Sequence, residues 1–537
     1  MTSEIRRIDA RDLKAQLHDG GEIAVLDARE EGIFARRHLL LASCVPLSRL
    51  ELLVDDLAPR RTARVVWCDD GDGSALRAAR RMTALGYEEV AVLDGGIAAW
   101  EAAGHRLYSG VHVPSKAFAE VVEHEAGTPW IAAPELKALI DGGADIAIFD
   151  SRSYEEYHDN SIPSAISVPG AELVYRFADL TPSPDTTIIV NCGGRTRSII
   201  GAQALINAGF PNKIVSLKDG TMAWHLAGLD VVHGATRRPP AVSASGLGVA
   251  NAAASRVASR YDVPRIDRAM LAAWRAEASQ RSLYVLDVRT PEEYAAGHLA
   301  GARSAPGGQL VQETDSFVAI WGARIVLVDN DGVRATITAS WLKQMGWTEV
   351  AVLAANAAEG GWAEDDWVSG PHAPRALGLD GVTVTTIEPA GLREQLAAGT
   401  AAIIDLDTSR RYAQGHIPGA WFAVRSRLPE ALAALPKAET VVLTSPDDAL
   451  ARLAASDIAG AGRVPVMVLS GGTQAWVRTG FPLETGATRM AGEPDDVVLS
   501  ARERGQDREA AMREYLAWEI NLVHDMASDD DHRFQVT

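Results

Sequence analysis

Four short apolar runs along the chain each stop at an aspartate. They are Ala24-Val25-Leu26-Asp27, Ala147-Ile148-Phe149-Asp150, Tyr284-Val285-Leu286-Asp287 and Ala401-Ala402-Ile403-Ile404-Asp405. Runs this short and this apolar fit strands buried on both faces, as in a parallel sheet. Each leads through a helical stretch to a second apolar strand: Arg64–Trp67, Thr187–Asn191, Ile325–Val328 and Thr440–Thr444. A polar loop, a helix, a glycine (Gly86, Gly209, Gly346) and a third strand follow. The third strand runs into Leu93-Asp94-Gly95-Gly96, Leu217-Lys218-Asp219-Gly220 or Leu469-Ser470-Gly471-Gly472, with a tryptophan four residues on at Trp100, Trp224 and Trp476. In the third copy this element is shifted by two, at Gly360-Gly361-Trp362. The pattern is an internal repeat of βαβ units. The right-handed crossover rule turns each copy into a small doubly wound parallel sheet.

The boundaries fall at 1–110, 125–232, 259–368 and 381–487, with a tail over 488–537. Segments 233–258 (rich in Ala, Ser, Gly and Pro) and 369–380 read as loose linkers. Within the tail a helix is predicted from Asp507 to Met526. Its apolar residues Met512, Leu516, Trp518, Ile520 and Leu522 predict that it docks on a domain. The fold class is therefore α/β, with four tandem doubly wound domains, small parallel sheets and a C-terminal helical tail.

The chemistry lies in the loop after the second strand. In copy two this is Cys192-Gly193-Gly194-Arg195-Thr196-Arg197-Ser198, entering a helix. Cys192 lies 42 positions after Asp150. The same spacing leads from Asp27 to Asp69 and from Asp287 to Asp329, and a glycine follows 17 positions later in all three. Cys68 thus falls one position early, opposite Asn191, on a strand. Copy four offers Ser445, 40 positions after Asp405. Cys44 reads as core. One copy is equipped for thiol chemistry and three are scaffold.

The bulk properties narrow the setting. A chain of 537 residues is too long for one core. A net charge of −19, without basic runs, argues against nucleic acid. Three cysteines argue against a disulfide framework and for a reducing, cytoplasmic setting. No apolar stretch approaches a membrane span, and the first residues lead into no signal-like apolar core. No Cys-x-x-Cys, phosphate loop or dinucleotide fingerprint is present, so neither a metal nor a cofactor is expected.

Asp287-Val288-Arg289 with Glu292-Glu293-Tyr294 and Gly297-His298, Asp150-Ser151-Arg152 with Glu155-Glu156-Tyr157, Gly415-His416-Ile417-Pro418-Gly419-Ala420, the cysteine loop and the Gly-x-x-x-Trp element together resemble the rhodanese family of sulfurtransferases. The resemblance covers the chain to about residue 487. It implies four tandem rhodanese-like domains, with domain 2 active and the other three inert. It also implies that Cys192 attacks the outer sulfur of thiosulfate, releases sulfite and carries a persulfide to a thiol or cyanide. 3-Mercaptopyruvate is a second candidate donor.

At the loop itself, Gly193 and Gly194 free the amides to form an anion nest, and the following helix adds its positive end. Arg195 and Arg197 add charge and planar forks for an anionic donor, beside Thr196. Ser198 caps the helix or donates to the sulfur. These features predict a depressed Cys192 pKa. Arg176 either binds the anion or is a surface arginine. Arg152 is read as a brace for a carboxylate, His225 as surface or packing, and the tryptophans as core. Two other readings stay open. One is a cysteine-loop phosphatase, against which the Cys-x4-Arg spacing stands where Cys-x5-Arg is needed. The other is a non-catalytic repeat protein that binds a partner.

Overall fold

The structure is a computed structural model that describes residues 4–181, 183–354, 366–459 and 464–536. The shifted Gly360-Gly361-Trp362 element lies outside the described residues. Four five-stranded parallel arrangements recur with one strand order. In domain 2 the order across the sheet is Trp130–Ile131, Ile214–Leu217, Thr187–Asn191, Ile146–Asp150 and Ile166–Ser167. The central pair are the two most apolar strands, covered by helices on both faces, which is why they show no polar alternation.

The register agrees with the spacing. Asn191 pairs with Asp150, Cys68 with Asp27, Val328 with Asp287 and Thr444 with Asp405. Cys68 is therefore a strand residue, fully buried. Cys192, Asp69, Asp329 and Ser445 each begin the following loop.

Three arginines have the same structural duty. Arg152 forks onto Asp150 at 2.8 and 2.7 Å and donates on to the Asn160 carbonyl. Arg29 and Arg289 repeat this on Asp27 and Asp287, and on the carbonyls of Arg37 and Gly297. Each clamp ties a strand end to the loop eight residues on. In domain 4, where Asp407 replaces the arginine, Asp405 has no such fork, and burial pushes its carboxyl up to about 7. The tryptophans are core anchors. Trp100, Trp224 and Trp476 each donate the indole N–H to a carbonyl six residues later, those of Arg106, Asp230 and Pro482.

Three features depart from the sequence reading. Segment 233–258 is not loose throughout: Ala244–Arg260 is a helix, capped by Ser243 on the Gly246 amide at 2.9 Å. Its small residues Ala250, Ala253, Ala254 and Val257 are buried against neighbouring helices, and such side chains lose little entropy on ordering. A second linker helix, Val113–Ala126, runs between domains 1 and 2 with most of its surface buried. Finally, Ile320–Trp321 of domain 3 pairs antiparallel with Ile23 and Ala24 of domain 1, covering an edge that Ala42–Cys44 leaves open. One continuous apolar core thus runs through domains 1, 2 and 3, while domain 4 has cores of its own.

The tail is a helix over Arg508–Met526. Met512, Leu516, Leu522 and Met526 are buried, whereas Ile520 faces solvent at 43% exposure, contrary to its predicted docking role. Four such buried side chains are worth about 1.5–3 kcal/mol each. Ion pairs extend the attachment: Arg410 with Glu503, Arg106 with Asp525, and Lys14 with Asp530 and Asp531. Among the described residues no helix is long and apolar enough to cross a membrane.

Candidate functional site

The Thr187–Asn191 strand delivers Cys192 to the sheet's carboxyl edge, and helix Thr196–Asn207 begins four residues later. A neighbouring helix, Gly220–Leu226, closes on the same point: the Thr221 amide donates to the Cys192 carbonyl at 2.9 Å. Only glycine fits at 220. Its φ is +53°, and a Cβ there would lie 2.3 Å from the Cys192 oxygen. Gly96 and Gly472 make the same approach to Asp69 and Ser445, which explains the recurrent glycine ahead of each tryptophan.

One backbone amide defines the site in all four domains. In domain 2 the Ser198 amide faces the Cys192 sulfur and favours its ionised form. Six residues after the loop start in the other domains, Ala75 donates to Asp69 at 2.9 Å, Ala335 to Asp329 at 3.0 Å and Ala451 to Ser445 at 3.2 Å. Asp329 also accepts from the Asp331 and Gly332 amides, and Asp69 from Gly71. The loop is thus an anion nest. In domains 1 and 3 a fixed carboxylate fills it; in domain 2 a sulfur does.

The Cys192 thiol is 2% exposed and lies 3.4 Å from the Ser198 hydroxyl, which in turn donates to the Arg195 carbonyl at 2.8 Å. Ser198 therefore meets the sulfur, but it does not cap the helix: its hydroxyl donates to a carbonyl, and among the described residues no side chain accepts from the first helical amides. Burial pushes the thiol above its ordinary range, and Arg197 and Ser198 only partly offset this. The depressed pKa expected from the loop is not found in this closed state, because the desolvation that accompanies the nest outweighs its positive charge.

The two arginines have different surroundings, and neither is a free fork. Arg195 is 4% exposed, and its guanidinium meets Glu120 at 2.7 and 2.8 Å, Asp219 at 2.8 Å, and Glu123. With three carboxylates on it, Arg195 ties the linker helix and the Gly220 helix to the loop. The guanidinium expected to face an anionic donor is thus occupied by carboxylates of the protein itself. Arg197 forks onto Glu156 at 2.6 and 2.8 Å and reaches Gln309 of domain 3 at 3.0 Å. Burial would raise the Glu156 carboxyl, but Arg197, with Arg152 behind it, holds it at about 2. Arg197 also opposes the rise at Cys192, so its charge is felt at the sulfur.

Arg176 pairs with Glu172 at 2.6 Å and donates to the Pro240 carbonyl. It lines a cleft of about 370 Å³ between domains 2 and 3 whose lining does not include Cys192. His225 accepts a 3.3 Å contact from Arg508 of the tail. Gly193 and Gly194 form the turn of the loop. Thr196 donates from its hydroxyl to Glu519, a tail residue, at 3.2 Å.

Sequence reasoning missed the groups brought by other elements: Lys116, Glu120 and Glu123 from the linker helix, and Tyr515 and Glu519 from the tail. The only local signal was acidic residues three or four apart on amphipathic helices, which usually marks a solvated face. In the structure Tyr515 Cε1 and Glu519 Oε2 lie 3.2 and 3.1 Å from where a Gly194 Cβ would be, so Gly194 is the residue the tail packs on.

The family model for the rhodanese-like domain matches four times, at residues 9–103, 132–227, 270–363 and 388–479, more than half of the chain. The crystal structure of a thiosulfate sulfurtransferase from Pseudomonas aeruginosa superposes with a TM-score of 0.93 at 47% identity, covering 99% of this chain and all of the other. A thiosulfate sulfurtransferase of Azotobacter vinelandii is 27% identical over 212 residues, 36% of this chain and 77% of its own. An HTH-type transcriptional regulator, Rv0324, of Mycobacterium tuberculosis is 36% identical over 91 residues; the match spans 17% of this chain and only 39% of the regulator. Four matched domains, in a chain that superposes end to end on another, establish that this protein belongs to the rhodanese-like domain family.

Proposed function

We propose that the protein is a sulfurtransferase in which Cys192 takes the outer sulfur of thiosulfate and passes it to a thiol or to cyanide. The observation that carries this reading is the shared amide nest. Its four copies hold Asp69, Cys192, Asp329 and Ser445 in one position, and only the sulfur of Cys192 can form a persulfide. The nest that holds a carboxylate in domains 1 and 3 would hold the persulfide anion in domain 2.

The first half-reaction balances without a cofactor. The Cys192 sulfur attacks the sulfane sulfur of thiosulfate, one S–S bond forms, and the original S–S bond breaks with its electron pair leaving on sulfite. The thiol proton departs as hydrogensulfite, and the persulfide remains as the anion. An acceptor thiolate or cyanide then attacks the outer sulfur and returns the Cys192 thiolate. Arg197 sits where its charge lowers the cost of both anions. Domains 1, 3 and 4 then serve as scaffold. Domain 3 supplies Gln309 to Arg197, and domain 1 shares its core with domain 2. The three free thiols suit a reducing, cytoplasmic setting.

The names of the relatives from Pseudomonas aeruginosa and Azotobacter vinelandii support thiosulfate as the donor. The test is the intact mass of the protein after thiosulfate treatment, together with a thiosulfate:cyanide assay. One added sulfur, lost on adding cyanide, is the expected result. An unchanged mass with no thiocyanate formed would reject the reading.

A further inference from the structure

A buried carboxyl lies over the Cys192 loop and comes from outside the four domains. Glu519, on the tail helix, is 1% exposed. Its Oε1 accepts two hydrogen bonds, from the Tyr515 hydroxyl at 2.8 Å and the Thr196 hydroxyl at 3.2 Å. Its Oε2 is buried with no hydrogen-bond partner, 3.1 Å from where a Gly194 Cβ would stand. An ionised carboxylate with one orphaned oxygen is an expensive thing to bury. A carboxylic acid with its proton on Oε2 lowers that cost, because no charge is then buried and both accepted bonds fall on the other oxygen.

The charged and titratable neighbours are Lys116 and Glu120 from the linker helix, Arg195 and Cys192 from the loop, and Tyr515 on the tail helix itself. Lys116 is drawn toward the aromatic rings, its ammonium 5.3 Å from the Tyr515 centroid and 5.0 Å from that of Trp518. Arg195 is already spent on three carboxylates. Burial raises the Glu519 carboxyl in spite of Lys116 and the hydrogen bonds at Oε1, in the direction of the neutral acid.

A proton held on Oε2 needs an acceptor, and the sulfonate oxygens of an incoming thiosulfate are one. We propose that the tail helix completes the sulfur site and that Glu519, carrying a proton on Oε2, binds the terminal oxygens of the sulfur donor. This rests on the sulfurtransferase reading of Cys192. It assigns to a tail residue the anion-binding task that the loop arginines are too heavily paired to perform. It also gives the tail a reason to be docked: a doubly anionic donor meets a neutral acid at the buried loop instead of a carboxylate.

The test is the pH profile of kcat/KM for thiosulfate in the full chain. A bound acid loses its proton as pH rises, so the wild type should show a falling alkaline limb on top of the rising limb from Cys192 ionisation. Glu519→Gln cannot ionise and should lose the falling limb, whatever its absolute rate. Glu519→Ala should drop by about tenfold or more at the optimum, the loss of one hydrogen bond to an anion. Tyr515→Phe removes a bond that favours the ionised form, so its falling limb should move up by about one pH unit.

An unchanged falling limb in Glu519→Gln overturns the proposal. So does a folded Glu519→Gln protein too slow to profile, since the amide supplies the same donor. If Glu519→Gln does not fold, the Tyr515→Phe profile decides, and an unmoved limb there overturns it. A wild type that takes up no sulfur at any pH rejects the sulfurtransferase reading itself, whereas an active wild type with unaltered variant profiles rejects only the role of Glu519.

Discussion

The Ala335 amide donates to the Asp329 carboxylate at 3.0 Å, from the position that the Ser198 amide holds facing the Cys192 sulfur. Domain 3 thus keeps the anion nest and fills it permanently with its own side chain. It even keeps the arginine five residues on, Arg334, which pairs with Glu172 and Glu293. In domains 1 and 3 the carboxylate satisfies amides that an absent anion would strand, and in domain 4 the Ser445 hydroxyl takes that place.

Sulfur uptake should follow this geometry. Cys192→Ser is expected to take up no sulfur. Cys68→Ser should still take up one, because Cys68 is a fully buried strand residue whose thiol burial and Asp27 push up. Intact mass after thiosulfate treatment separates the two, and comparable losses in both variants would refute the register.

Cys192 should be a slow nucleophile in the resting protein. Burial raises its pKa, so alkylation by iodoacetamide should show a midpoint above the free-thiol value of about 8.5. Arg197→Ala removes the largest opposing charge and should move the midpoint higher still. A wild-type midpoint near neutrality would contradict a closed, desolvated site.

Arg195→Ala should act on stability first. It leaves Glu120, Glu123 and Asp219 facing one another beneath the loop, and breaking one side of a buried ion cluster costs about 3–5 kcal/mol. Urea unfolding should show the loss, with Arg195→Lys recovering only part of it, since an ammonium cannot serve three carboxylates in a plane. A variant of native stability with a raised KM would restore the anion-ligand role for Arg195.

The Asp405 carboxyl, lacking an arginine, titrates near 7 in the fold. A folded pKa above the unfolded value of about 3.9 means that the neutral form is favoured by folding. That contribution is fully present below the unfolded pKa and is lost as pH rises through about 7. Asp405→Asn should therefore flatten part of the fall in thermal stability between about pH 4 and 7. Asp150→Asn should instead destabilise at neutral pH, because it weakens the charge partner of the buried Arg152. Melting curves across pH for the two variants test the contrast, and parallel behaviour would dismiss the clamp argument.

The repeat, its parallel strands, the loop starts and the odd position of Cys68 were all legible in the chain. They depend on local patterning and on spacing, which a parallel sheet turns directly into register. The Asp-x-Arg brace was legible too, since both partners lie two residues apart. What spacing could not supply was the state of the site. Whether Arg195 faces a ligand or three carboxylates depends on Glu120 and Glu123 arriving on a linker helix about 75 residues upstream in sequence. Whether the thiol is lowered or raised depends on how much water the tail excludes, and Glu519 lies more than 300 residues from the loop it covers. Charge and chain order are written in the sequence. Desolvation and the pairing of distant charges belong to the packed structure, because both are set by what lies within a few ångströms in space.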